Sequence, residues 1–195
     1  MNFIKSIKKS QKKYIELNDF IYLSLVTAFI LGIVFLITGS DYIYGSSVDW
    51  LSQHSVLPDY FRQSFYDTGR LFPEFNLNLG AGQNAYNFSY YGFMNPISYF
   101  LPNVPMQLYI SVSSIIVVLL SVYIFYFWLK SHNNMNRSTV YFITFLFACA
   151  GPLLYHSHKQ VMFMDYIPFL LLALVGVDRL YKKDRKILLI LSITC

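Results

Sequence analysis

The sequence predicts an all-α integral membrane protein, a multi-pass helical bundle with a long, partly helical first extracytoplasmic loop. Three observations carry this. First, the chain is 55% hydrophobic and only 13% charged, about half the roughly 25% charge of an ordinary soluble domain. Second, its apolar residues are clumped into long runs, and an uncharged apolar run of about 18 residues or more reads as a membrane span. Third, its Lys and Arg residues gather in short clusters beside alternate ends of those runs, the pattern that sets membrane orientation. The net charge of +5 therefore points to membrane topology and not to nucleic acid.

In chain order, residues 1–19 form a basic leader with Lys5, Lys8, Lys9, Lys12 and Lys13. The uncharged run from Phe20 to Ile37 follows. It is too long for a signal-peptide core, and no small-x-small cleavage pattern follows it. Residues 20–38 are thus the first span, with Asn18 or Asp19 as its expected N-cap. Residues 107–129 form the second span and 138–155 the third, joined by the short polar loop 130–137. The run from Tyr166 to Val177 has twelve residues, short of the ~20 a helix needs to cross. Extended to 165–178, with Asp165 near one membrane face, it is the fourth span. The loop 179–186 precedes residues 187–195, which read as the start of a fifth span, so the chain is expected to be an N-terminal fragment.

Charge counting orients the spans. Twelve Lys and Arg lie in the leader and in the loops around 130–137 and 178–186; Arg62, Arg70 and Lys159 alone lie on the other side. The N-terminus is expected in the cytoplasm of a multi-pass cell-membrane protein, with the 39–106 and 156–164 loops both outside.

The long loop is patterned. Trp50, His54, Leu57, Phe61 and Phe65 recur at spacings of four, three, four and four, one face of an amphipathic helix. Ser46 or Ser47 is its expected cap, Pro58 a point of interruption, and Asp67 and Gly69 its end. Beside a span, such a helix is expected to lie along the membrane surface. Asp49 and Gln53, four apart, share a different face.

Several motifs carry less than they suggest. Gly80-Ala-Gly-Gln-Asn-Ala85 matches the dinucleotide fingerprint, but no strand-helix context surrounds it; Gly80 and Gly82 read as a tight turn. No P-loop is present. Cys149 and Cys195 lack metal-ligand spacing, and Cys149 reads as a small buried residue. His156 and His158 supply two potential metal ligands, short of the three or four that a site requires. With Lys159 they read better as cationic donors to a phosphate. Tyr86, Phe88, Tyr90, Tyr91 and Phe93 read as an interfacial aromatic belt. Most loop carboxylates are ordinary solvated groups. Asp49 differs in lying just beyond a span, on an ordered helix, beside Gln53 and His54. A general base has to reach the proton it removes, and this helix sits at headgroup level, where a lipid-linked substrate presents its reactive carbon.

Asp49 and Gln53, the segment NLGAGQNAYNFSYYGFMNP and the later FMDYIPFLLLALVGVDRL together resemble the bacterial YfhO-like membrane protein family, over residues 39–102 and 160–181. The resemblance implies a glycosyltransferase of the GT-C type, with its active site in the first outer loop. It implies a polyprenyl-phosphate sugar donor, a teichoic-acid-like or other glycan acceptor such as lipoteichoic acid, and membrane lipid as surroundings, with no nucleic-acid partner. Asp49 then matches the catalytic acidic residue. Gln53, His54, Arg62, His156, His158 and Lys159 are the expected substrate-binding residues. No cofactor is expected, a divalent metal remaining open. The competing reading is a non-enzymatic membrane protein: a transporter, flippase or assembly subunit. Transport sites usually place ionisable residues inside the spans, and the first three apolar runs have none.

Overall fold

The computed structural model describes residues 2–38, 49–71, 74–91, 96–131, 135–159, 163 and 165–181, with side chains from Leu17 onward except those of Ser89, Tyr90 and Pro96. The expected caps Ser46 and Ser47 and the stub at 187–195 lie outside the described residues. Among the described residues six α-helices are formed: α1 (Asn2–Thr38), α2 (Val56–Thr68), α3 (Met106–Lys130), α4 (Arg137–Ala148), α5 (Gly151–His158) and α6 (Tyr166–Tyr181). The described strands are β1 (Phe75–Asn76) and β2 (Gln83–Asn84), an antiparallel pair in which Phe75 faces Asn84 and Asn76 faces Gln83.

Among the described residues, two helices are long and apolar enough to cross a membrane, the Leu17–Thr38 part of α1 and α3. At 1.5 Å per residue they reach about 33 and 37 Å, against a hydrocarbon core of about 30 Å. The expected 138–155 span is divided: α4 ends at Ala148, and α5 begins at Gly151. A third crossing results if the two form one broken span. Cys149 stands at this break and is exposed, not buried as its apolar neighbours suggest, because it caps α4 instead of continuing it. Helix α6 has sixteen residues and reaches about 24 Å. Its Pro168 lies in the first turn, where a missing N–H costs nothing.

The chain divides into two compact units. The first comprises residues 1–37, 118–150 and 168–195. Asp19 is its most consequential residue. It does not cap a helix, since α1 runs through it from Asn2. It is fully buried and receives Lys130 Nζ at 2.7 Å and Arg137 Nη2 at 2.5 Å, with the Tyr141 hydroxyl donating to it as well. A buried carboxylate demands such partners, so one acid ties together α1, the end of α3 and the start of α4. Farther along, Tyr123 donates to the Phe20 carbonyl at 3.0 Å and stacks on the Phe20 ring at 4.7 Å.

The second unit comprises residues 38–117 and 151–167 and holds the long loop. A π-helical turn, Trp50–His54, leads into α2, with the break at Ser55 and not at Pro58. Pro58 falls in the first turn of α2, where proline is tolerated. The helix ends at Gly69, whose φ of +69° suits glycine. The turn between the strands uses Gly80 at φ +54°, Ala81 at +66° and Gly82 at +102°. A Cβ on Gly80 would meet Gln83 Nε2 at 2.2 Å. The glycines of the dinucleotide-like motif therefore serve a hairpin turn.

The apolar stripe of the amphipathic helix packs against the protein itself. Trp50 and Phe61 are fully buried. Phe61 packs with Leu79, Ala85 and Tyr99, flanked by Leu57 and Phe65, and Trp50 packs with Met106 and Ile110 of α3. The loop supplies enough apolar surface of its own to cover the stripe.

Candidate functional site

Six of the seven sequence-derived site residues fall into two groups, and all seven lie in the second unit. The first group is Asp49, Gln53 and His54 on the π-helical turn. Its defining bond runs from the Ser55 N–H to the Trp50 carbonyl at 3.0 Å, and Ser55 Oγ donates to the same oxygen at 2.6 Å. Inserting one residue per turn in this way is uncommon and recurs at functional sites. Within this turn the charge of Asp49 acts on His54.

Asp49 is half-buried at the head of this turn and makes no side-chain bond to cap it. His54 is buried. Burial lowers its pKa from the ordinary value, and the Asp49 charge opposes that shift. His54 is therefore a neutral imidazole next to an acid. Its Nδ1 is buried without a hydrogen-bond partner, and its ring lies 5.9 Å from that of Tyr91. Gln53 is exposed, and its Oε1 accepts a 2.5 Å hydrogen bond from the Tyr91 hydroxyl. That bond turns the amide so that its NH2 end is the one offered to a ligand.

The second group is His156, His158 and Lys159 at the end of α5. His158 is buried, with Nε2 2.8 Å from Thr38 Oγ1. His156 packs edge-on against Tyr155 and Phe163. The Lys159 N–H donates to the Tyr155 carbonyl at 2.7 Å, continuing the helical bonding by one residue. Helix α5 is fixed against α3 by Ser114 Oγ, which donates to the Ser157 carbonyl at 2.6 Å. His156 and Lys159 are the half-buried members of this group.

Arg62 joins neither group. It is buried, and Nη1 donates to the carbonyls of Leu101 at 2.9 Å and Val104 at 2.8 Å, while Nη2 meets Asp59 at 2.5 Å. Its fork fastens α2 to the chain entering α3. Among the described residues, no three His, Cys, Asp or Glu side chains converge as a metal site.

Sequence reasoning passed over Tyr91 as one aromatic of a belt. It lies 38 residues from Gln53, and no spacing rule connects them. The π turn is equally silent in sequence, because Asp49 and Gln53 fit an ordinary helix as well.

Comparison with known proteins gives one family. The family described as bacterial membrane protein YfhO matches residues 20–195. No curated protein and no solved structure matches the chain. The match covers nearly all of the chain, both long apolar helices and the whole loop that carries Asp49, and on that ground the chain belongs to the YfhO family of bacterial membrane proteins.

Proposed function

We propose that the protein is a membrane glycosyltransferase of the GT-C type. It moves a sugar from a polyprenyl-phosphate donor to a cell-envelope acceptor such as lipoteichoic acid, on the outer face of the membrane. The observation that carries this reading is the π-helical turn, which sets a half-buried Asp49 carboxylate beside a buried His54 and a Gln53 amide held from behind by Tyr91.

In the reaction, Asp49 takes the proton of the acceptor hydroxyl. The acceptor oxygen bonds to the anomeric carbon of the sugar as the bond from that carbon to the phosphate oxygen breaks. The polyprenyl phosphate leaves with the electron pair. Gln53 donates to a sugar or phosphate oxygen. His54, kept neutral by burial, leaves the Asp49 carboxylate free to act as a base and does not tie it up as an ion pair. Lys159, as a cation, and His156, through a ring N–H, meet the charge on the departing phosphate, where preorganised donors act most strongly. Arg62 and His158, assigned to the substrate by sequence pattern, serve the scaffold in this mechanism, because their contacts are internal. The N-terminus is cytoplasmic in this reading, which the charge distribution supports.

The test is transfer of a radiolabelled sugar from a polyprenyl-phosphate donor in membranes carrying Asp49→Asn, with Asp67→Asn on the exposed side of α2 as control. General-base catalysis is worth roughly 10²–10⁴-fold, and a loss of that order is expected for Asp49→Asn at normal expression. Undiminished transfer removes Asp49 as the base.

A further inference from the structure

The second unit has an apolar face that its own core leaves uncovered. In the 3-10 helix Pro96–Phe100, Ser98 and Tyr99 are 1% exposed and turn into the loop core, while Ile97 is 63% and Phe100 74% exposed. Leu101, the next residue, is 39% exposed. The chain from Glu74 to Lys130 contains no charged residue between those two. This face is therefore uncharged in sequence as well as apolar at its surface.

Its position follows from the backbone. The Leu101 N–H donates to the Ser98 carbonyl and the Val104 N–H to the Leu101 carbonyl, each at 3.2 Å. Each of these turns brings its first and last Cα within about 7 Å. Leu101 thus lies close to Val104, two residues before the membrane-spanning helix α3 begins at Met106. The Tyr109 N–H donates to the Pro105 carbonyl at 3.0 Å, so helical bonding starts immediately after the second turn. Residues 98–104 form a collar at the rim of a span, and that span continues with the exposed apolar residues Leu108 and Val112.

We propose that Ile97, Phe100 and Leu101 insert into the lipid leaflet that meets the N-terminal end of α3. Contiguous exposed apolar side chains mark a contact surface. Continuity with a span makes lipid the occupant, and aromatic residues at the rim of a span favour the interface. This contact takes the place of the amphipathic stripe, which is buried in the protein, as the loop's hold on the bilayer. It does not depend on the enzymatic reading. Arg62 on the Leu101 and Val104 carbonyls, together with Tyr66 donating to the Tyr99 carbonyl, passes that hold to α2. The helix that follows the Asp49 turn is thereby kept at a fixed height over the membrane.

The experiment places a polarity-sensitive fluorophore on Ile97→Cys and, separately, Phe100→Cys. Both are made in a chain with Cys149→Ser and Cys195→Ser, in lipid nanodiscs, with Asp67→Cys as the water-exposed control. Spin-labelled lipid, with the label near the headgroup end of the acyl chain, and aqueous iodide are the two quenchers. Insertion gives a blue-shifted emission, several-fold stronger quenching by the spin-labelled lipid than at Asp67, and several-fold weaker quenching by iodide. Iodide quenching equal to that at Asp67 overturns the proposal. Protection from both quenchers overturns it too, since protein and not lipid then covers the face.

Discussion

The Tyr91 hydroxyl donates a hydrogen bond to Gln53 Oε1 across 38 residues of chain, at 2.5 Å. Tyr91→Phe keeps the ring beside His54 and removes this bond. A neutral hydrogen bond contributes about 0.5–1.5 kcal/mol net. If Gln53 binds the sugar or the phosphate, losing its orientation lowers kcat/KM for sugar transfer by roughly 2–10-fold. The melting temperature should change little, because Gln53 is exposed and its amide then turns to water. A Gln53→Ala variant should lose at least as much activity, and adding Tyr91→Phe to it should cost little more. Full additivity of the two substitutions would show that Tyr91 acts elsewhere.

Arg62 separates a structural role from a phosphate-binding one. Arg62→Lys keeps the charge but cannot serve two carbonyls and Asp59 with one planar fork. Hydrogen bonds to a charged group are worth about 1.5–3 kcal/mol each. A loss of about 3 kcal/mol from the stability of the loop unit is expected, read as faster proteolysis around residues 97–104 in membranes. A variant of normal protease resistance that has nonetheless lost sugar transfer would return Arg62 to the substrate.

The burial of Arg62 illustrates what sequence could and could not reveal. The membrane class was legible because hydropathy and charge placement are local properties, and the spans at 20–38 and 107–129 correspond to apolar stretches that the structure forms as helices. The stripe Trp50, His54, Leu57, Phe61, Phe65 was legible as a helical face for the same reason. What covers that face was not, since Leu79, Ala85 and Tyr99 reach it through a hairpin whose glycines only signal a turn. Asp19 misled by resembling a cap. Its partners Lys130 and Arg137 lie more than a hundred residues away, and an ion pair of that separation leaves no periodicity. The Asp49 turn was legible in composition and illegible in geometry, because π-helical bonding has no residue signature.

The Asp19 cluster gives a stability prediction with a built-in asymmetry. Asp19 is buried, while the Lys130 and Arg137 side chains are 37% and 50% exposed. Removing one partner of a buried pair leaves an uncompensated charge and costs about 3–5 kcal/mol; exposure of both cations reduces this. Lys130→Gln or Arg137→Gln alone leaves the other cation on Asp19 and should cost about 1 kcal/mol. The double variant should cost more than the two singles together, because Asp19 is then buried with no cation. Thermal unfolding in detergent reads this directly. Simple additivity would mean that water already reaches Asp19.

His54 makes the loop sensitive to acid. Its pKa is lowered in the folded protein, by burial first, against the ordinary value of 6.5. The unfolded chain therefore takes up a proton at His54 as pH falls through 6.5, and the folded one does not until lower pH. Stability is lost over that window and changes no further once both states are protonated. Asp49 opposes the shift, so Asp49→Asn should lower the folded pKa again and extend the loss to lower pH. His54→Gln should remove this component altogether, leaving the slope set by the remaining groups. Hydrogen exchange of the Trp50–Thr68 segment between pH 5 and 7.5 is the measurement. The wild-type segment should open more readily toward pH 5, Asp49→Asn more steeply still, and His54→Gln least. An equal pH slope in the wild type and His54→Gln would mean that His54 is reached by water, and the neutral imidazole beside Asp49 would lose its physical basis.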